Sequence, residues 1–197
     1  MKLSILIATL DSRKEQFDRL VSNLLPQCPD DQVQVAFMRD QGQAAGGLAI
    51  GAKRQQLLEE AVGDFVVFID DDDEIAPDYV DSILPNLKDG VDCIGFEIDC
   101  YGYVPGRTDQ CERAAVSSRY KEWANDVDGY RYVRCPHHLV PVRREHALAA
   151  GFATTSKYGE DNAYSMRLRD LGLLRNEVFI PKVLYTIRHN PNKTFGS

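Results

Sequence analysis

Four consecutive aspartates, Asp70, Asp71, Asp72 and Asp73, follow directly on the apolar run Phe65-Val66-Val67-Phe68-Ile69. Like charges side by side repel one another, so a fold keeps such a run where something cationic offsets it. Carboxylate oxygens suit hard cations such as Mg²⁺ or Mn²⁺, which in turn bind the phosphates of a substrate. The plainer alternative is a solvated acidic turn that caps the next helix. Alternate residues of an extended segment point the same way. Asp70 and Asp72 are therefore expected to converge on one ion, while Asp71 and Asp73 point elsewhere and one of them caps the helix near Pro77.

Four further groups carry chemistry. Gly51-Ala52-Lys53-Arg54-Gln55 lies on the helix before the acidic strand. Its cations can neutralise the aspartates, hold phosphates beside the metal, or simply form a solvated helix face. Tyr158-Gly159-Glu160-Asp161 puts two acids at a helix start, where capping and the macrodipole favour them in any case. The functional alternative is a general base facing a crevice. Cys135-Pro136-His137-His138 lies among Arg131, Arg134, Arg143 and Arg144. It offers a basic patch for an anionic acceptor, or a counterweight to an acidic protein, and adjacent histidines on a strand let at most one serve a site. Arg188-His189 could close the site as a late phosphate or metal contact.

The elements that must position these groups alternate through the first half. Residues 3–8 read as a strand. Ser12-Arg13-Lys14-Glu15 matches a capping box, with Phe17, Leu20, Val21, Leu24 and Leu25 at helical spacing and Pro26 as the stop. A second strand is predicted over 33–38, a glycine-rich loop over 42–47, a helix over 48–62 and a strand over 65–69. Pro77 opens a helix carrying Tyr79, Val80, Ile83 and Leu84. This order predicts a mostly parallel sheet with right-handed crossovers. Carboxylates at the carboxyl ends of such strands face the ligand crevice. Beyond it, 91–99 reads as a strand and 101–130 as irregular and mobile. Residues 135–142 read as extended, 144–150 and 160–171 as helices with Gly172 as a stop, and 178–187 as at best an edge strand because Pro181 lies inside it.

The chain has 197 residues, 44% hydrophobic, enough for one domain with a real core. Thirty acidic residues against 23 basic ones give a formal net charge of −7, which argues against a general nucleic-acid-coating protein. Five cysteines without a C-x-x-C pair fit a reducing compartment better than a zinc site or a disulfide framework. No stretch is apolar for long enough to span a membrane, and residues 1–8 read as a strand rather than a signal peptide, so a cytoplasmic protein is expected.

Together these features resemble the family 2 glycosyltransferases of GT-A fold. Leu3-Ser4-Ile5-Leu6-Ile7-Ala8-Thr9 is similar to their first strand, which leads into the nucleotide pocket. Asp40 stands where the family places an acid that contacts the nucleotide base, and Arg54 matches an arginine that contacts the nucleotide. Phe68-Ile69-Asp70-Asp71-Asp72-Asp73 resembles their D-x-D motif. Gly159-Glu160-Asp161 resembles the later Glu-Asp motif. Two departures stand out: Gln55 replaces a frequent Asn, and the C-terminal region that many members use for the acceptor, membrane helices included, has no counterpart here.

The resemblance implies an α/β fold of GT-A type, a three-layer sandwich with a mostly parallel central sheet. It implies a single catalytic domain over 1–197, with the nucleotide-sugar and metal half in 1–99 and the acceptor side and base in 100–197. The activity implied is transfer of a sugar from a nucleotide-sugar donor, commonly a UDP-sugar, to an acceptor hydroxyl, with inversion and with Mn²⁺ or Mg²⁺. Asp161 would be the catalytic base. Asp72 and Asp70, with His189, would hold the metal. Thr9, Asp40, Arg54, Asp70, Asp71, Glu160 and Arg188 would line the donor site. The acceptor stays open among a glycan, a protein, a lipid-linked sugar and a modified nucleic-acid base. A sugar nucleotidyltransferase would carry a glycine- and lysine/arginine-rich signature after the first strand, where this chain has Ala8-Thr9-Leu10-Asp11-Ser12-Arg13. An aspartyl phosphatase would place its D-x-D after the first strand rather than the third. A non-catalytic binding module is the remaining alternative.

Overall fold

The computed structural model describes residues 1–102, 109–155 and 159–188. Its first half alternates strand and helix: β1 (Leu3–Leu10), α1 (Lys14–Leu24), β2 (Val33–Asp40), α2 (Ile50–Glu60), β3 (Phe65–Phe68), β4 (Glu74–Ile75) and α3 (Tyr79–Ile83). Then follow β5 (Cys93–Tyr101), β6 (Cys111–Val116), β7 (Ala124–Val127), β8 (Tyr130–Arg134), β9 (Val142–Arg143), α4 (Arg144–Ala150), α5 (Glu160–Asp170) and β10 (Glu177–Arg188). The strands join in one ten-stranded sheet ordered β2-β1-β3-β9-β5-β6-β8-β7, with β10 on β5 and β4 on β10.

The strands β2, β1 and β3 are parallel, and all side chains of β3 and residues 3–7 of β1 are buried. Such strands read as continuous apolar runs because both of their faces are covered. On one side α2, α4 and α5 pack against one another and against β1 and β3. Elsewhere α1 buries Phe17, Leu20 and Leu24, and α3 buries Tyr79, Val80 and Ile83. The result is the expected α/β layering. Beyond β3 the sheet becomes mixed: β9 is antiparallel to β3 and β5, β6 is antiparallel to β5, and β10 is parallel to β5.

Three local expectations change. The stretch 101–130, expected to be irregular, carries β6, β7 and the start of β8 among its described residues, and their polar outer faces hide the apolar alternation. Ser12 makes no capping box: a 3-10 turn, Asp11–Arg13, precedes α1, and no side chain caps it. The aspartates are not extended either. They form a turn in which the Asp73 N–H donates to the Asp70 carbonyl at 3.2 Å. Pro181 is accommodated where the register between β10 and β5 shifts, on the side of β10 that β4 leaves uncovered.

Two glycines let backbones meet. A Cβ on Gly63 would stand 2.6 Å from Leu3 C and Ser4 N, and the Gly63 N–H donates to Ser4 Oγ at 2.8 Å. A Cβ on Gly51 would stand 2.0 Å from the Ala153 carbonyl oxygen and 3.4 Å from the Cβ of Glu160. Gly51 therefore sets how closely α2 approaches the segment leading to α5. Gln55 strengthens the same contact by accepting the Phe152 N–H at 2.8 Å. Gly51→Val is expected to destabilise the fold by about 1–3 kcal/mol through overpacking. Thermal unfolding should show that as a fall of roughly 2–4 °C per kcal/mol.

Candidate active site

The functional side chains gather at the carboxyl ends of β1, β2 and β3, where an open α/β sheet forms its crevice. They arrive from five directions: Thr9 from β1, Asp40 from β2, the aspartates after β3, Lys53 and Arg54 from α2, and Glu160 and Asp161 from the first turn of α5. The segment 135–141 runs beside β3, with the Phe68 N–H donating to the His138 carbonyl at 2.8 Å, and so delivers His138.

Arg54 is the hub. Its side chain is buried, donating through one Nη to Asp70 Oδ1 at 2.7 Å and through the other to Glu160 Oε1 at 2.6 Å. Burial opposes its charge, but the carboxylates of Asp70, Glu160 and Asp161 outweigh that cost and raise its pKa. Asp70 Oδ2 lies 3.3 Å from Nε2 of His138. Burial also works against ionised Asp70, yet the charges of Arg54 and His138 hold its carboxyl well below the usual range. Two buried nitrogens at this hub, Arg54 Nε and His138 Nδ1, have no partner among the described residues.

The acidic turn divides into two kinds of side chain. Asp70 and Asp72 keep 33% and 30% of their side-chain surface exposed, whereas Asp71 and Asp73 keep 1% and 7%. Asp71 is held by the Thr9 hydroxyl, which donates at 2.6 Å, and by Arg13 at 2.9 Å. Arg13 also lies 3.3 Å from Asp72. Burial nevertheless raises the Asp71 pKa. Burial and then the charges of Asp70 and Asp72 push Asp73 well above an ordinary carboxylate. Negative charge crowded on a partly buried turn is the electrostatic setting a hard divalent cation relieves, and Asp70 and Asp72, partly exposed beside Arg54, His138 and Arg13, are donors of the right chemistry. Among the described residues no group of three or more His, Cys, Asp or Glu side chains is arranged to hold a metal ion. A metal here would need further ligands from a bound phosphate or water.

The remaining site residues fall as follows. Asp40 is spent on its own surroundings: it accepts N–H groups from Gly42 and Leu48, both at 2.7 Å, and pairs with buried Lys53, which also donates to the Thr9 carbonyl at 2.9 Å. Burial raises and these bonds lower its pKa, with a net lowering. Glu160 is buried and serves Arg54. Asp161 is partly buried and accepts the Asn162 N–H at 2.7 Å, the position of an acid at a helix N-terminus. Arg188 places its guanidinium on Glu74 at 2.8 Å and over the Tyr101 ring, while its N–H lies 3.4 Å from Asp73. His189 and Tyr158 lie outside the described residues.

The basic residues between 131 and 144 do not form one exposed patch. His137 and His138 are buried, Arg131 pairs with Asp126, and Arg143 donates to the carbonyls of Lys88 and Val91. Of the two histidines only His138 reaches the site. His137 packs on Trp123, and burial keeps its pKa well below the ordinary imidazole value. Sequence reasoning gave Lys53 no separate role and missed Arg13 and Tyr185. The Tyr185 hydroxyl accepts the Asp70 N–H at 3.0 Å, but an isolated tyrosine in β10 carries no pattern that signals this.

Comparison with curated proteins finds no match. Among solved structures, S. aureus TarS (residues 1–349) in complex with UDP-GlcNAc superimposes with a TM-score of 0.66 at 16% identity, covering 98% of this chain and 60% of that one. The mannosyltransferase PcManGT from Pyrobaculum calidifontis, in complex with GDP-Man and Mn²⁺, gives 0.57 at 13% identity, covering 97% and 58%. Glucosyl-3-phosphoglycerate synthase from Mycobacterium tuberculosis, with Mn²⁺, UDP and glucosyl-3-phosphoglycerate, gives 0.56 at 14%, covering 96% and 73%. The chain thus spans about 60% of the length of the TarS structure and shares its fold. The family model described as Glycosyl transferase family 2 matches residues 44–149, more than half of the 197, and that stretch contains the acidic turn and most of the hub that holds it. The chain belongs to glycosyl transferase family 2.

Proposed function

We propose that this chain is the catalytic domain of a glycosyltransferase that moves a sugar from a nucleotide-sugar donor, with a UDP-sugar as the first candidate, to an acceptor hydroxyl with inversion. The observation that carries this reading is the double engagement of Arg54. One buried guanidinium binds Asp70 and Glu160, and so brings the acidic turn and the first turn of α5 to the same crevice. A donor's diphosphate and an acceptor's hydroxyl need to meet between two such groups.

In this reading Asp72 holds a Mn²⁺ or Mg²⁺ ion, with Asp70 beside it and His189 as a further ligand from outside the described residues. When bound, the ion supplies positive charge to the departing diphosphate. Asp70 keeps Arg54 and His138 oriented at the phosphate side, and Thr9 fixes Asp71 beneath them. Asp40, Lys53 and the loop over 42–48 shape the base end of the donor pocket. Arg188 reinforces the acidic turn through Glu74. Asp161 takes the proton from the acceptor hydroxyl as its oxygen attacks the anomeric carbon. The bond from that carbon to the diphosphate oxygen breaks, and nucleoside diphosphate leaves. Inversion follows from the family rather than from a measured distance. No helix among the described residues is long and apolar enough to cross a membrane. A cytoplasmic location belongs to this reading, supported by five free cysteines.

Release of free nucleoside diphosphate from a sugar nucleotide, with sugar appearing on an acceptor, tests the assignment. Release of pyrophosphate, or binding without turnover, would overturn it. Asp161→Asn should retain donor binding and lose about 10²- to 10⁴-fold in transfer rate, measured as nucleoside diphosphate released per minute at saturating donor. Asp72→Ala should abolish the metal-dependent part of nucleotide binding. In calorimetry its affinity should be the same with Mn²⁺ as with EDTA, whereas the unaltered chain should bind more tightly with Mn²⁺.

A further inference from the structure

Arg13 ends the 3-10 turn after β1 and stands at the N-cap of α1. A cation there meets the positive end of the helix dipole, and its side chain makes no cap hydrogen bond. Its favourable contacts lie across the sheet ends instead. Nη1 donates to Asp71 Oδ1 at 2.9 Å and lies 3.3 Å from Asp72 Oδ2. The two contacts are unequal. Asp71 is 1% exposed and is also gripped by Thr9, so it is a fixed anchor. Asp72 is 30% exposed and meets Arg13 at the longer distance, so that contact is the easier one to open. Arg13 itself keeps 30% of its side-chain surface exposed, so its guanidinium has room to turn.

We propose that Arg13 is the built-in counter-ion of the acidic turn. A divalent ion takes Asp72 by displacing the guanidinium, which stays tethered to Asp71 and turns to the phosphates that arrive with the ion. This role rests on the donor-site reading above. It follows because a guanidinium and a divalent cation repel each other on a shared carboxylate. A metal arriving alone must therefore work against Arg13. A metal arriving with a nucleoside diphosphate brings anionic oxygens that match the arginine fork. Arg13 thus makes metal and nucleotide bind synergistically and keeps the empty site from filling with metal alone.

The test is calorimetric titration of Mn²⁺ into the unaltered chain and into Arg13→Gln, each alone and with saturating UDP, repeated with GDP. Mn²⁺ alone should bind Arg13→Gln about tenfold more tightly than the unaltered chain, and the gain from added nucleotide should shrink by a similar factor, because coupling is reciprocal. Equal or weaker binding of Mn²⁺ alone to a folded Arg13→Gln overturns the role of Arg13 while leaving the donor site standing. Absence of Mn²⁺ binding to the unaltered chain, with or without either nucleotide, overturns both. A second measurement needs no variant: phenylglyoxal modification of Arg13, read by peptide mass. It should fall when Mn²⁺ and the nucleotide that binds are added together and change little with Mn²⁺ alone, and modification indifferent to the pair overturns the proposal.

Discussion

The structure depends on one buried cation that cannot lose its charge. Arg54 lies inside the protein with carboxylates on two sides, and neither it nor Glu160 could be buried without the other. Removing one member of a buried ion pair leaves an uncompensated charge, at a cost of about 3–5 kcal/mol. The pair also spans the chain: Arg54 comes from α2 and Glu160 from α5, more than a hundred residues later. Gly51 permits the approach, Gln55 ties the intervening backbone, and the Phe68 ring supports the guanidinium at 6.0 Å. The same interaction that joins the two halves of the chain assembles the site.

Around that hub the protein distributes negative charge unevenly. Asp70 is drawn down by Arg54 and His138 against the cost of burial, while Asp71 and Asp73 are driven up by burial. A run of four chemically identical side chains thus holds members with opposite proton affinities, set by which face of a tight turn each occupies. The partly exposed pair faces the crevice beside Arg54, His138 and Arg13, and the buried pair supports the turn, through Thr9 and Arg13 at Asp71 and through the Arg188 backbone and Tyr185 at Asp73. Such division of labour is common where a site must hold a ligand of high charge.

The family match and the fold agree on a domain of the glycosyl transferase family 2 type, although similarity to the solved structures stays between 13% and 18% identity. At that distance what is shared is the layered fold.

Strands β1 and β3 were legible in the sequence because a strand buried on both faces is almost wholly apolar, and residues 3–7, Ser4 aside, and 65–68 are, whereas β2 was read from its alternation. The acidic cluster was legible because its four aspartates are adjacent, but the tight turn they form was not, since an extended segment was expected there. The identity of Arg54 as a nucleotide-side residue came from family resemblance, but its partner did not, since nothing in residues 50–60 points to residue 160. The strands over 111–134 were missed because they lie toward the sheet's far edge with exposed polar faces, so their periodicity is weak. Local patterning, then, determined the elements and the acidic cluster by itself, because both are written in adjacent residues. Which carboxylates are buried, that Arg13 meets Asp71 and Arg54 meets Glu160, and which histidine reaches the site were decided only by tertiary structure, because those contacts join residues 58 to 106 positions apart. Burial and Coulomb energy depend on that distance in space and not on distance along the chain.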